Sequence, residues 1–331
     1  MTLSDAAAGL TLLALIAYAV LAGADFGGGV WDLFASGPRR DAQREAIAHA
    51  IGPVWEANHV WLIFAIVLTF SCFPPAFAAL GVGLYLPLHL VLVGITLRGA
   101  AYVFRAYGAD DPRARRRWGA VFGASSAVTP WLLGACLAIL SNGALRVRGG
   151  VVEAPRLSAW FGPLPLTLGA LALAACAYAA AVFLAVETDA ALREDFRRRA
   201  LASGTAVVAL SALAVPVLHA EAPRLASSLV SSRALPIVLA GALSALASGA
   251  ALYAGRVRAA RVASIAWIAL ELAGWSVAQY PFVIAPDVTF AATAAPDATI
   301  RFVLASTAPG FALLLPSLWL LFRVFKSRPR P

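Results

Sequence analysis

Asp25 and Glu56 are the residues of this chain with the clearest chemical potential, because each is a carboxylate within a long apolar stretch. Asp25 lies in GADFGGGVWDLF, and Glu56 lies in IGPVWEANHVWLIF. A charged side chain at bilayer depth costs at least about 2.5 kcal/mol and is by default a functional-site hypothesis. A desolvated carboxyl group can bind and release protons near neutral pH. The two acids therefore predict proton transfer inside a membrane.

Glu56 begins a short polar motif that includes Asn58 and His59. Glu56 and His59 are three residues apart, so they share one face of a helix. An acid with an imidazole and an amide beside it suits a proton relay. Glu-x-x-His is also half of a di-iron motif, but that site needs a second copy. The sequence has none, so the di-iron interpretation is rejected.

Asp25 has a second acid, Asp32, seven residues further on and three glycines at positions 27–29. Seven residues are nearly two helical turns, which places both acids on one face. The glycines let a neighbouring helix approach closely. We interpret Asp32 as an interfacial acid without a functional role.

Two arginines, Arg98 and Arg105, lie toward the inner end of the third predicted span. Arg105 is expected to extend its guanidinium to the interface. Arg98 lies deeper and is expected to pair with Glu56 or Asp25, which lowers the cost of burying both charges.

Haem ligation within this chain is a less favoured alternative. The only methionine is Met1, which excludes methionine–histidine ligation in practice. Bis-histidine ligation needs two imidazoles at one depth on facing helices. By helical rise, His59 and His89 come to similar depths and are the candidate pair. The spacing predicts no other metal site.

A polar and aromatic stripe occurs near the carboxyl end. Its members recur every four residues, which places them along one side of a helix. They are Trp267, Glu271, Trp275 and Gln279. Glu271 is expected near mid-membrane, where it would contact a quinone or another helix.

The elements that position these residues are membrane helices. The chain has 331 residues, of which 61% are hydrophobic and 13% charged, far from a soluble composition. Windows of about 20 apolar residues predict an all-α polytopic protein. The nine predicted spans are 8–27, 51–73, 77–104, 118–142, 163–187, 200–220, 234–255, 261–280 and 301–325.

The 26 basic residues predict the orientation. Most fall in segments that share one side if the amino terminus is outside, so the positive-inside rule predicts N-out and C-in. Clusters between apolar runs do not indicate nucleic-acid binding. Segment 281–300 is too polar and proline-rich to span and is expected to form an ordered outer loop.

Several motifs together carry a resemblance to a known family. GADFGGGVWDL, IGPVWEANHVWLI, FPPAFA, LRGAAYVFR and QYPFVIAP follow one another along nearly the full chain. In order and spacing they resemble subunit II of cytochrome bd-type quinol oxidases, in the branch called cyanide-insensitive oxidases. Position 56 departs from the pattern, since many members have Asp there.

The resemblance implies two four-helix bundles plus a peripheral helix. Residues 1–142 would form the first bundle, and residues 143–331 the second bundle and the peripheral helix. It implies a bacterial inner-membrane complex with subunit I, which would hold haem b and haem d, or b in place of d. That respiratory complex would oxidise quinol and reduce O2 to water. A small single-helix accessory subunit, membrane lipid and a structural quinone are further partners in this interpretation.

The resemblance also implies what this chain contributes. It would hold no catalytic residue, but Asp25 and Glu56, with Asn58 and His59, would form part of a cytoplasmic proton pathway. A secondary transporter or channel with intramembrane acids is the alternative from another class, since midplane acids suit transporters.

Overall fold

A computed structural model describes residues 2–107 and 111–326 of the chain. Within these ranges, only the backbone is described for residues 51–56, 106, 107, 112, 190, 322, 325 and 326. The described chain is almost entirely helical. Its helices are α1 (Leu3–Leu33), α2 (Arg40–Cys72), α3 (Pro74–Gly83), α4 (Tyr85–Tyr107), α5 (Pro112–Asn142), α6 (Pro163–Glu187), α7 (Ala190–Glu221), α8 (Pro223–Leu229), α9 (Leu235–Tyr253), α10 (Val257–Gln279) and α11 (Asp297–Lys326).

Local sequence signals fix several helix ends. Thr2 and Asp5 form a capping box at the start of α1, in which each side chain bonds the backbone N–H of the other. Asp111 caps the start of α5, and Gly143 ends it in the left-handed region at a φ of 76°. The long helices are therefore bounded by residues that satisfy their terminal backbone groups.

The predicted span 77–104 is wrong as a single helix. α3 ends at Gly83, α4 begins at Tyr85, and α3 bends away from the second half of α2 by 118°. Pro87 explains the break, since proline has no N–H to donate to the Gly83 carbonyl and its ring crowds that carbonyl.

Eight helices of the described chain are long and apolar enough to cross a membrane, or up to nine if the bent pair from α2 and α3 counts as one span. The protein is thus an all-α polytopic membrane protein, as predicted. The count of nine and the N-out, C-in orientation stay predictions.

The helices pack through a contiguous set of neighbours. α1 lies centrally and packs on α2, α5, α6 and α10, while α4 packs on α5. α6 packs on α7 and α10, and α10 on α9. α11 lies against α2 and α1. The division into bundles at residue 142 stays a prediction.

Glycine at one position allows two helices to touch. A Cβ placed on Gly27 of α1 would lie 1.9 Å from the Cys176 carbonyl oxygen of α6. No side chain larger than hydrogen fits there, so the backbones of α1 and α6 are in direct contact. Cys176 acts here as a packing residue, as do the buried residues Cys72 and Cys136.

Two hairpins cover one end of the bundle. One joins β1 (Arg146–Arg148) to β2 (Val151–Glu153), and the other joins β3 (Phe282–Ile284) to β4 (Val288–Thr289). Segment 281–300 is bonded to the bundle through Ala285 N–H to the Leu140 carbonyl and Ala295 N–H to the Cys72 carbonyl. The segment is therefore an ordered loop.

An ion pair joins the two hairpins. Arg146 donates from Nε to Asp287 at 2.7 Å and from Nη2 at 2.9 Å, and the Val147 N–H also donates to Asp287 at 2.9 Å. The Arg146 guanidinium holds the pKa of the Asp287 carboxyl below its usual value. The loop is thereby anchored to the first hairpin.

Arg146→Gln is expected to lower the melting temperature and to expose segment 281–300 to protease. Because the pKa of Asp287 is lowered in the folded protein, the pair contributes fully above the unfolded value and is lost as pH falls through the folded value. The difference between wild type and variant should therefore shrink as pH falls below about 4. Thermal unfolding across that pH range measures it. Arg156→Gln, which removes an exposed charge nearby, is the control, and an equal effect of both variants would contradict the assignment.

Candidate functional site

Asp25 and Arg98 form a buried ion pair between α1 and α4. Asp25 is 0% exposed and Arg98 is 2% exposed. Arg98 Nη1 donates to Asp25 Oδ2 at 2.5 Å, and Nη2 donates to Oδ1. Nη2 also donates to the Asp25 backbone carbonyl at 3.0 Å. The sequence left two partners open for Arg98, and the structure pairs it with Asp25 by a two-pronged contact.

The rest of the guanidinium is enclosed by α1 and α5. Arg98 Nε donates to Ser126 Oγ at 2.8 Å. The Phe26 and Phe122 rings lie 5.0 and 5.2 Å from the guanidinium carbon. Aromatic faces attract cations, so these rings replace part of the lost hydration. Sequence reasoning missed Ser126, because nothing in its local pattern separates it from other small residues of α5.

Asn58 brings α2 to the same cluster. It is 1% exposed, and its Nδ2 donates to Asp25 Oδ2 at 3.2 Å. Its Oδ1 has no hydrogen-bond partner in the described part of the chain. A buried acceptor without a donor is costly, so this oxygen marks a place for a donor from water or another chain.

Glu56 lies outside the described side chains, and nothing is stated of its orientation. Its backbone belongs to α2, two residues before Asn58. His59 is half-buried and follows Asn58 directly. Of the four predicted pathway residues, the structure therefore places Asp25 and Asn58 in contact, with His59 next along the helix.

A second ion pair lies beyond the first. Arg105 Nη1 donates to Asp32 Oδ2 at 2.7 Å, and Arg44 Nε lies 4.0 Å from Asp32 Oδ1. Asp32 is 2% exposed, whereas both arginines are partly exposed. The sequence analysis treated Asp32 and Arg105 as separate interfacial residues and did not predict this ion pair. The sequence does contain a signal for the pair: Asp25 and Arg98 are 73 residues apart, and so are Asp32 and Arg105.

The two pairs form successive links between α1 and α4. Seven residues on each helix correspond to about 10 Å along the axis. Equal spacing in the same chain direction fits two helices that run parallel. The first link is enclosed, and the second opens toward the end of the bundle.

The stripe on α10 divides into packing residues and one exposed acid. Trp267 is buried with its ring edge-on to Tyr178, Trp275 Nε1 donates to Ser141 Oγ at 3.0 Å, and Gln279 Nε2 donates to the Leu140 carbonyl at 3.0 Å. Glu271 is exposed on this chain. The quinone or interface role of this stripe stays a prediction.

The histidines do not form an enclosed haem site in the described chain. His89 is exposed, its Nδ1 bonds the Tyr85 carbonyl at 2.7 Å, and its ring packs on that of Tyr85. His49 and His219 are exposed as well, which leaves His59 as the one half-buried imidazole among the described residues. The placement of His89 disfavours the predicted His59–His89 pair. Among the described residues, no group of three or more His, Cys, Asp or Glu could hold a metal ion.

The cluster can hold charge and order protons, but the described chain shows no group arranged for bond cleavage. Both carboxylate oxygens of Asp25 already accept hydrogen bonds, from Arg98 and Asn58. Asn58 Oδ1 is the acceptor that stays available. The chemistry supported here is positioning of water and protons.

Comparison with known proteins gives one family across the chain. The model of the family "Cytochrome bd terminal oxidase subunit II" matches residues 3–325. A Bacillus subtilis protein named "Putative cytochrome bd menaquinol oxidase subunit II" is 23% identical over 326 residues, which cover 95% of this chain and 92% of that protein. "Cytochrome bd-I ubiquinol oxidase subunit 2" of Escherichia coli is 32% identical over 129 residues, or 39% of this chain and 33% of that protein.

A solved structure has the same fold. A chain of the bd oxidase from Geobacillus thermodenitrificans is 24% identical and superposes with a TM-score of 0.83, covering 98% of this chain and 99% of that chain.

Arg98→Gln is expected to destabilise the protein by about 3–5 kcal/mol, because it leaves the Asp25 carboxylate buried without a counter-charge. Thermal unfolding in detergent measures the loss. The double variant Asp25→Asn/Arg98→Gln removes both charges and should be less destabilised than Arg98→Gln alone. Arg105→Gln is the comparison at the partly exposed pair and should cost less. Equal losses for Arg98→Gln and Arg105→Gln would show that burial does not govern the pair.

Proposed function

The chain belongs to the cytochrome bd terminal oxidase subunit II family, and we propose that it supports a haem-bearing subunit I and feeds protons toward the site of oxygen reduction. As a member of this family it is part of a quinol oxidase complex, a multi-pass oxidoreductase of the bacterial inner membrane. Support of subunit I and the proton role are the parts that the proposal adds.

The observation that carries the proton role is the unpartnered Asn58 Oδ1 beside the Asp25–Arg98 pair. That oxygen is buried, and it belongs to the same amide group whose nitrogen donates to Asp25. A water bound there would complete its hydrogen bonding and would stand next to an ionised acid. A proton could then move through water without the pair being broken.

Glu56 and His59 would act as a pair on α2, close to Asn58 in the chain. They are three residues apart and so share one face of the helix, and both are residues that exchange protons. In this proposal Glu56 is the carrier, and His59 relays between Glu56 and the surroundings. Asp25, held by Arg98, fixes the orientation of the Asn58 amide and so the position of the water at Oδ1.

The family implies haems in the complex, and we place them in the partner subunit. Haem b and haem d, or b in place of d, would pass electrons from quinol to O2 there. The residues of this chain supply protons and support, in agreement with the exposed position of His89. Orientation with the amino terminus outside would open the route to the cytoplasm. Glu271 is the residue of this chain proposed to contact a quinone, subunit I or an accessory helix.

The alternatives have less support. A transporter would need an acid that is free to bind a substrate or ion, and Asp25, one of the two acids on which that alternative rests, is held by Arg98. A haem-bearing cytochrome would need an enclosed imidazole pair, whereas His89 is exposed. Family membership favours the oxidase subunit over both.

Glu56→Gln is expected to slow quinol oxidation by the purified complex at least about 100-fold, the lower end of what a positioned proton-transfer group contributes. Oxygen consumption measures turnover, and the visible spectrum measures haem content. The spectrum should not change. Glu153→Gln, an exposed acid on β2, controls for loss of one carboxylate. Full turnover in Glu56→Gln would remove it from the route, and loss of haem would assign it to assembly.

Asn58→Leu tests the water at Oδ1 separately. The substitution keeps the approximate volume but removes both the donor to Asp25 and the available acceptor. We expect slower turnover and a larger solvent deuterium isotope effect, because proton delivery becomes rate-limiting. Thr96→Val, which removes a hydroxyl that bonds only within α4, is the control. An unchanged rate and isotope effect would exclude Asn58 from the route.

A further inference from the structure

A basic cavity opens where the second ion pair reaches the end of the bundle. Its volume is about 480 Å³. Five arginines and two acids line it, together with small residues. The lining residues are Arg40, Asp41, Arg44, Glu45, Ala48, Arg105, Arg115, Arg116 and Gly119.

The charges of the cavity do not cancel. Asp32 lies behind the wall and accepts from Arg105, and Arg44 lies at 4.0 Å from the same carboxylate. Among the residues that the structure describes, and with Asp32 included, five arginines face three acids. Burial lowers the pKa of Arg44, the Asp32 and Asp41 carboxylates oppose this shift, and the positive charges of Arg40 and Arg105 add to it. An anion in the cavity would relieve this repulsion.

The first turn of α2 adds to the positive potential. α2 begins at Arg40, and no described side chain caps it at Arg39. The Arg40 N–H already donates to the Gly37 carbonyl at 3.2 Å. The other N–H groups of the first turn carry a partial positive charge that attracts anions. Helix start and guanidinium groups together make a site for phosphate oxygens.

An apolar surface adjoins the cavity at Arg105. Val103 and Phe104 precede this arginine on α4 and are 46% and 48% exposed. The Phe104 ring stacks on that of Trp118 at 4.8 Å between centroids. Aromatic rings beside basic residues are typical of the membrane interface, where headgroups meet acyl chains. An amphipathic ligand fits this combination better than a soluble anion.

We propose that the cavity binds a phosphate group, which is supplied by the headgroup of an anionic phospholipid whose acyl chains lie along Val103 and Phe104. The arginines contact the phosphate oxygens, and the exposed side of α4 contacts the chains. The residues that carry the site all belong to this chain, and the proposal does not depend on the proton route.

The test is native mass spectrometry of the purified complex, titrated with phosphatidylglycerol or with phosphatidylcholine. Wild type should bind phosphatidylglycerol in preference. Arg40→Gln/Arg116→Gln removes two exposed arginines of the cavity and should weaken phosphatidylglycerol binding at least about tenfold. Arg113→Gln/Arg117→Gln is the matched control, since these exposed residues of α5 carry the same charge but do not line the cavity. The control double variant should bind as wild type does.

A second arm identifies the source of the phosphate. Millimolar inorganic phosphate should leave phosphatidylglycerol bound to wild type. If inorganic phosphate displaces phosphatidylglycerol from wild type but not from the Arg40/Arg116 double variant, the cavity is a phosphate site whose ligand is a free anion and not a lipid. Equal binding by wild type and both double variants, for lipid and for inorganic phosphate, would overturn the proposal. Equal losses in the two double variants would also overturn it, since they would reflect net charge and not the cavity.

Discussion

The structure depends on the rule that a carboxylate and a guanidinium can be buried in a membrane protein only together. Asp25 and Arg98 satisfy that rule with three hydrogen bonds between them, and Asn58 and Ser126 satisfy most of the remaining polar atoms. These four residues come from α1, α4, α2 and α5. The contact therefore fixes the relative rotation and depth of four helices, because a small slide of any one would leave a charge without its partner.

Small residues make this arrangement possible. Gly27 brings the α1 backbone onto α6, and Gly29 leaves room for Ser126, whose Oγ would lie 2.1 Å from a Cβ at that position. The glycines near Asp25 therefore allow two neighbouring helices, α5 and α6, to approach α1 closely. The close approach of α5 and α6 at these glycines helps to enclose the acid.

Much of the fold and part of the site could be predicted from the sequence. Apolar windows located the spanning helices, and the isolated acids identified Asp25 as a buried functional candidate. The break before α4 was missed because Pro87 acts on a carbonyl four residues earlier, which a hydropathy window does not register. The Asp32–Arg105 pair was missed because each residue alone is typical of an interface. Only the equal spacing of both acids and both arginines indicates two links between parallel helices. Ser126 and the basic cavity depend on tertiary placement, which no local pattern contains.

The separation of Asp25 and Arg98 by 73 residues has a consequence for biosynthesis. The ribosome makes α1 well before α4, so the acid reaches the membrane while its counterion has not yet been synthesised. An unpaired charge at bilayer depth costs about 2.5 kcal/mol or more, so the acid is hardest to accommodate before Arg98 has been made. The Asp25 carboxylate can be buried together with its counter-charge only once α4 has been synthesised.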